Sequence, residues 1–302
     1  MKNILILSFL LVLFQACGQK TKIESKEKVN LKLNEQFGKY WYQGKAELTS
    51  YDLEQVRYGE KRAGEAVLIF VTEDFSKSKQ VKLDNPQQAG EDAEKVMKLN
   101  FNKKFNTGIY PYSMMTSVFA PVYPENDIHA RKVTTSVQEW CGHVFMQLNN
   151  KKDHYHLMTR SYFQSEGDVE SKMEKVWLED ELWTLIRLDP TQIPEGEVQL
   201  IPSTQYLRLK HKESKAYTAN IKIIKNEGLN ELNINIPKLE RQLSIFYQNE
   251  HPFKIEKWEE TYPENGKMMT TSAKIKERIM LDYWNKNGVK DSVYREKLSL
   301  DF

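Results

Sequence analysis

Two short stretches hold the residue types that do chemistry most readily: "EWCGHVF", with Cys141 and His143, and "KDHYHLM", with His154 and His156. Imidazole and thiolate are the donors that zinc and copper take. On a strand, residues two apart share a face, so Cys141 points with His143, and His154 with His156. If "NNKKD", residues 149–153, closes a hairpin that sets Gln147 opposite His154 or His156, then His143, His154 and His156 rise from one face of two neighbouring strands, with Cys141 beside them. A register shifted by one residue sends the two pairs to opposite faces. The set would suit a metal-dependent or cysteine-dependent hydrolase, although no third residue that orients a cysteine–histidine nucleophile is identifiable. The plainer reading is a half-exposed sheet face, with Cys141 a small buried apolar residue. On that reading no cofactor is expected.

Other chemistry is thinner. "GEKRAGEA", Gly59–Ala66, spaces two glycines as a phosphate loop does, but Glu65 and Ala66 stand where lysine and serine or threonine belong, so it reads as a turn. No GxSxG, HExxH or CxxC occurs. The acidic groups Glu179, Asp180, Glu181 and Glu259, Glu260 read as a solvated hairpin tip and a strand surface. "GIYPYSMMTSVFAPVYP" strings together Tyr110, Tyr112, Met114, Met115, Phe119 and Tyr123, which suits a core edge or an adaptable contact surface for lipid or protein. The end "VYREKLSLDF" places Tyr294, Leu298, Leu300 and Phe302 like the closing strand of an outer-membrane barrel, but Glu296 breaks the alternation, so a soluble last strand is expected.

The elements that must position these residues are strands. Short runs rich in valine, isoleucine, tyrosine, phenylalanine and threonine alternate with glycine, proline, asparagine and aspartate clusters. Strands are predicted at "YWYQGKAELTSYDLEQVRY", "EAVLIFVTED", "LWTLIRL", "TQYLRLKHK", "YTANIKIIK", "DSVYREKLSL" and elsewhere, and a short helix at the start of "PQQAGEDAEKVMKLN". Polar tips at 149–153, 179–181, 225–230 and 285–288, and the turn "PENG", imply sequential antiparallel pairing. In "TQYLRLKHK" alternation puts Tyr206, Arg208 and Lys210 on one face and Leu207 and Leu209 on the other. The fold class is therefore mainly β: a large curved antiparallel sheet or half-barrel with few short helices, its concave side covered by loops or ligand. The proline-rich segment 189–203 is where the body, residues 35–302, would divide if it has two halves.

The beginning of the chain carries an address. Lys2 precedes an apolar run, Ile4–Phe14, interrupted only by Ser8 and too short to span a bilayer, and "LFQAC" ends on Cys17. This stretch resembles the lipobox of bacterial lipoproteins. The resemblance implies that residues 1–16 are a signal peptide and that Cys17 becomes the acylated first residue. Acyl chains on one cysteine hold a soluble domain at the membrane. Residues 17–34 are polar and lysine-rich, as a flexible tether is. Only Cys141 then remains, and one thiol builds no internal disulfide framework. A net charge of +2 excludes no envelope role but argues against nucleic acid as a partner.

Residues 40–82, "YWYQGKAELTSYDLEQVRYGEKRAGEAVLIFVTEDFSKSKQVK", resemble a group of lipoproteins from Bacteroidetes-type bacteria. Some members carry the label septum-formation-inhibitor Maf, a cytoplasmic pyrophosphatase family that opens on a serine-rich loop where this chain has a lipidation signal. The resemblance implies a compartment and no activity. In architecture the expected sheet resembles the half-barrels of periplasmic lipoprotein carriers. The expectation is a non-enzymatic outer-membrane lipoprotein facing the periplasm, which binds an apolar or amphipathic ligand or docks to another envelope protein; the alternative is the hydrolase centred on Cys141, His143, His154 and His156.

Overall fold

A computed structural model describes residues 31–301; the expected signal peptide, Cys17, the expected tether up to residue 30 and Phe302 lie outside the described residues. In chain order, α1 (Phe37–Trp41) precedes β1 (Ala46–Arg57) and β2 (Glu60–Ser76). After α2 (Pro86–Ala89) come β3 (Ala93–Thr107), β4 (Tyr110–Pro121), β5 (Lys132–Glu139), β6 (Gly142–Asn150), β7 (His154–Ser161) and β8 (Val169–Glu174). The short β9 (Trp177–Leu178) runs into α3 (Glu179–Leu188). The remainder is β10 (Gly196–Ile201), α4 (Thr204–Leu209), β11 (Tyr217–Lys225), β12 (Leu229–Ile236), β13 (Arg241–Gln248), β14 (Ile255–Glu264), β15 (Lys267–Leu281) and α5 (Val293–Lys297).

All fifteen strands form one sheet in the order β8, β7, β6, β5, β4, β3, β2, β1, β15, β14, β13, β12, β11, β10, β9. Pairing is antiparallel except between β9 and β10. The two edge strands, β8 and β9, are consecutive in the chain, yet no hydrogen-bonded ladder joins them, so the sheet stays open along a seam. It must also curl. The strands β4 and β13 stand six places apart in the order, about 30 Å on a flat sheet. The helix α3, about 10 Å wide, packs on β3 and β4 and also bonds Arg241 of β13.

That helix fills the concave side. Every one of its ten residues is buried, charges included. It starts where Glu181 accepts from the Leu178 N–H at 3.0 Å, with an acidic first turn facing the positive end of the helix dipole. It stops at Asp189, before Pro190. Each charged side chain reaches a different part of the wrapping chain. Arg187 makes two bonds to Glu47 of β1, at 2.7 and 2.8 Å, and one to the Pro252 carbonyl. Arg241 holds Glu179 at 2.5 and 2.7 Å and Glu260 at 2.7 Å. Asp180 accepts the Thr204 N–H and hydroxyl, and Glu181 accepts the Ala130 N–H and pairs with His129.

Several sequence expectations are corrected here. The acidic triplet 179–181 is the buried start of a helix, not a solvated tip, because its side chains meet partners distant in sequence: Arg241 on β13, Thr204 on α4, and His129 and Ala130 before β5. Glu260 is buried likewise, while Glu259 is exposed and pairs with Lys257. "LWTLIRL" and "TQYLRLKHK" are helical, since an apolar run has no period that separates a strand from a helix buried on all sides. Residues 285–288 join short helical turns instead of strands, and α5 replaces the expected last strand. The body also begins earlier than residue 35: Leu31 is 6% exposed in the core, and the Lys32 N–H donates to Asp189. The hairpins at 149–153, 225–230 and "PENG" form as expected.

Burial pushes the Asp180 carboxyl up to about 6, against the pull of the Thr204 donors. An unfolded aspartate titrates near 3.9. Between those values the folded chain binds a proton that the unfolded chain has released, so stability falls as pH rises through this window and the cost persists above it. Asp180→Asn retains an acceptor for Thr204 and removes the charge. Urea unfolding is expected to show it about 2–3 kcal/mol more stable than the native chain at pH 8, with the gain shrinking towards pH 4. An equal difference at both pH values would contradict this assignment.

Candidate functional site

The histidine hairpin has a register that puts His143, His154 and His156 on the outer face, with Asn149 opposite His156. Facing alike is not meeting. His143 lies six residues along β6 from Asn149, about 20 Å at the rise of a strand. His154 bonds its neighbour Asp153 at 2.7 Å, and His156 lies 3.7 Å from Glu170. Cys141 sits in the β5–β6 turn with an exposed thiol, in contrast to the buried position expected for it. Its backbone N–H donates to Glu139, and the same carboxylate pushes the thiol up. A nucleophilic cysteine needs the opposite shift. Among the described residues no group of three His, Cys, Asp or Glu side chains is placed to hold a metal ion.

The aromatic string also divides. Tyr112 and Met114 are buried on the inner face, Met115 is exposed on the outer one, and Phe119 stacks on Phe75. Tyr123 is exposed beyond β4 and bonds the Tyr42 hydroxyl at 2.7 Å. Tyr110 belongs to the tip of the β3–β4 hairpin. These six residues therefore make no single contact surface.

Three of the cavities among the described residues adjoin the plug, the convex face and the seam. The one at the centre of the concave side, between Lys103, Glu179, Gln205, Arg241 and Trp258, measures about 20 Å³. That is room for one water-sized molecule. Its charges serve the plug, and burial lowers the Lys103 ammonium. On the convex side the C-terminal segment crosses β1, β2 and β15 and leaves an apolar groove of about 320 Å³ between Val67, Ile69, Tyr294 and Leu298, with Lys104 at its margin.

The third lies at the seam. Its volume is about 380 Å³, in the range of small-molecule sites. Its floor is Met146 of β6, Leu157 of β7, Val169 of β8 and Leu207 of α4. Its polar wall is built by two loops that clasp each other. The β7–β8 loop supplies Ser165 and Glu166; α4 supplies Arg208, and the turn after it supplies His211, which takes a left-handed conformation at φ 49°. The Arg208 guanidinium lies 4.3 Å from the Phe163 ring centre and 3.4 Å from Glu166, which also bonds His211 Nδ1 at 2.7 Å. Arg208 is only 4% exposed, and its Nε–H has no hydrogen-bond partner among the described residues. A buried guanidinium with a donor to spare costs free energy that an acceptor would offset.

Sequence reading missed this site because it placed Arg208 on a strand. The signal that could have found it is local: Pro202 and Ser203 before an apolar run are a helix start. No protein-family model matches the chain, and no curated protein or solved structure matches it either.

The state of Cys141 is directly measurable. At pH 8 the folded chain is expected to react with a maleimide at this one exposed thiol more slowly than a model cysteine peptide does, and Glu139→Gln to react faster than the native chain. A native rate above that of the peptide would mean an activated thiolate and contradict the geometry.

Proposed function

We propose that the protein is a membrane-anchored lipoprotein of the bacterial envelope, without catalytic activity of its own, that binds an amphipathic ligand in the seam cavity. The observation that supports this reading is the pairing of an apolar floor with the Arg208 guanidinium in the wall of the same cavity. A hydrocarbon or acyl portion would cover Met146, Leu157, Val169 and Leu207, and a head group bearing carboxylate or phosphate oxygens would accept from Arg208. Each buried methylene contributes about 0.8 kcal/mol, so a short chain together with one charge-assisted bond gives micromolar binding. The envelope location rests on Cys17 and the lipobox-like stretch before it. The plugged concave side leaves no room for a large lipid at its centre, so the ligand is held at the seam and not enclosed as in a closed carrier.

Native mass spectrometry of the chain purified gently from its own kind of envelope tests this. A retained mass of a few hundred daltons is expected, lost in Arg208→Met and in Val169→Trp. The second variant replaces a residue that is 40% exposed and blocks the cavity with no change to the core. A ligand that survives both substitutions would place binding elsewhere, in the convex groove first of all, and a native chain that carries none at any ligand concentration would overturn the reading.

A further inference from the structure

Consecutive antiparallel strands turn alternately at the two ends of a sheet, so the hairpins β1–β2, β3–β4, β5–β6 and β7–β8 all turn at one end. Each tip carries a large side chain in the open: Tyr58 at 47% exposure, Ile109 at 81%, Trp140 at 67% and Tyr162 at 72%. Apolar residues scattered singly over a surface need no explanation. One at the tip of each of four successive hairpins is a pattern.

The tips are also linked to one another. Tyr110 stacks on Trp140 with ring centres 6.4 Å apart, and its hydroxyl lies 3.5 Å from that of Tyr58. The Tyr162 ring lies against the backbone at Gly142, where an added Cβ would stand 2.5 Å from it. The seam cavity begins on the same side, since the β7–β8 loop that carries Tyr162 also supplies Ser165 and Glu166 to the cavity wall.

We infer that this row of hairpin tips is a membrane-contact edge that sets the mouth of the seam cavity against the surface of a phospholipid bilayer. The inference deepens the ligand-binding reading and rests on it, because it names where the amphiphile comes from. Tryptophan and tyrosine have an apolar ring and one polar group, and they settle at the level of the lipid head groups. Neighbouring tips are two strands apart, about 10 Å, so the row is a broken line about 30 Å long. A stable protein interface buries about 800 Å² on each partner around a dry centre, and a line of separated points on a curved edge does not offer that.

The tether length agrees. Leu31 packs beside Pro121, at the opposite end of the twelve-residue β4 from Tyr110, so the chain enters the body about 40 Å from the tips. Fourteen residue steps separate Cys17 from Leu31, and a chain spans at most about 3.5 Å per residue, close to 50 Å in all. An anchor at Cys17 therefore allows the body to lie along the bilayer that holds it, with the tips in contact.

The test uses Cys141, which adjoins Trp140 and is the thiol left when Cys17 is acylated. The full-length acylated chain is labelled there with bimane maleimide and reconstituted in vesicles of phosphatidylethanolamine and phosphatidylglycerol. The label is expected to be quenched by a nitroxide carried on the lipid and shielded from aqueous iodide. In the variant Ile109→Ser, Trp140→Ser, Tyr162→Ser both effects should be lost while the melting temperature stays unchanged, because the three side chains are largely exposed. A native label as open to iodide as that of the variant, and untouched by the lipid-borne quencher, would overturn the inference. The ligand reading fails by a different readout, the loss of bound mass, so absent quenching with ligand still bound counts against the contact edge alone.

Discussion

The structure depends on a short helix buried with its charges still on it. The chain tolerates this because each charge of α3 is met: Arg187 by Glu47, Glu179 by Arg241, Glu181 by the Ala130 N–H and His129, Asp180 by Thr204. A buried ion pair adds little stability compared with well-packed hydrophobic residues, and removing one partner costs about 3–5 kcal/mol because the other charge is stranded. What the pairs supply is position. Glu47 lies on β1, the middle strand of the sheet order, Arg241 lies on β13 three places to one side, and α3 also packs on β4 three places to the other, so the helix meets all three only if the sheet curls around it. Burial alone would raise Glu47, yet the Arg187 guanidinium holds it near 2, so this tie stays charged throughout the neutral range.

A plugged concavity also decides where anything else can bind. Trp183 and Leu182 of α3 pack inside with Phe101 and Trp258, and the space left at the centre is water-sized. Away from the plug and the convex groove, space remains at the seam, where β8 and β9 do not pair and Leu207 and Arg208 of α4 share a cavity with Val169 of β8. Edge strands of a sheet are sites of unwanted pairing unless they are short or charged. Here β8 has six residues, with Glu170, Lys172 and Glu174 exposed along it. The seam is thus guarded against a further strand while a cavity of about 380 Å³ stays beside Arg208.

How much of this the sequence disclosed follows from the range of the interactions. Turn chemistry is local, so the hairpins at 149–153 and 225–230 and the alternating strands were legible, and with them the mainly β class. The acidic triplet 179–181 was misread because nothing near it announces burial: Arg241 is 62 residues from Glu179, and Glu47 is 140 from Arg187. The sequence left open whether His154 and His156 share a face with His143; the register that decides it sets Gln147 opposite Met158, and alternation fixes a face and not the distance along the strand. The helix α3 did leave local marks, an acidic first turn before an apolar run and a proline just after it, which outweigh the β-like composition once read together.

Amide hydrogen exchange across residues 177–189 tests the central claim most directly. If the charged helix is the post around which the sheet is wound, its amides should exchange only through global unfolding, with rates that follow urea concentration as steeply as the core strands β1 and β13 do. Exchange of α3 at rates independent of urea, while β1 and β13 stay protected, would show that the sheet holds its curvature without the plug and would contradict the account.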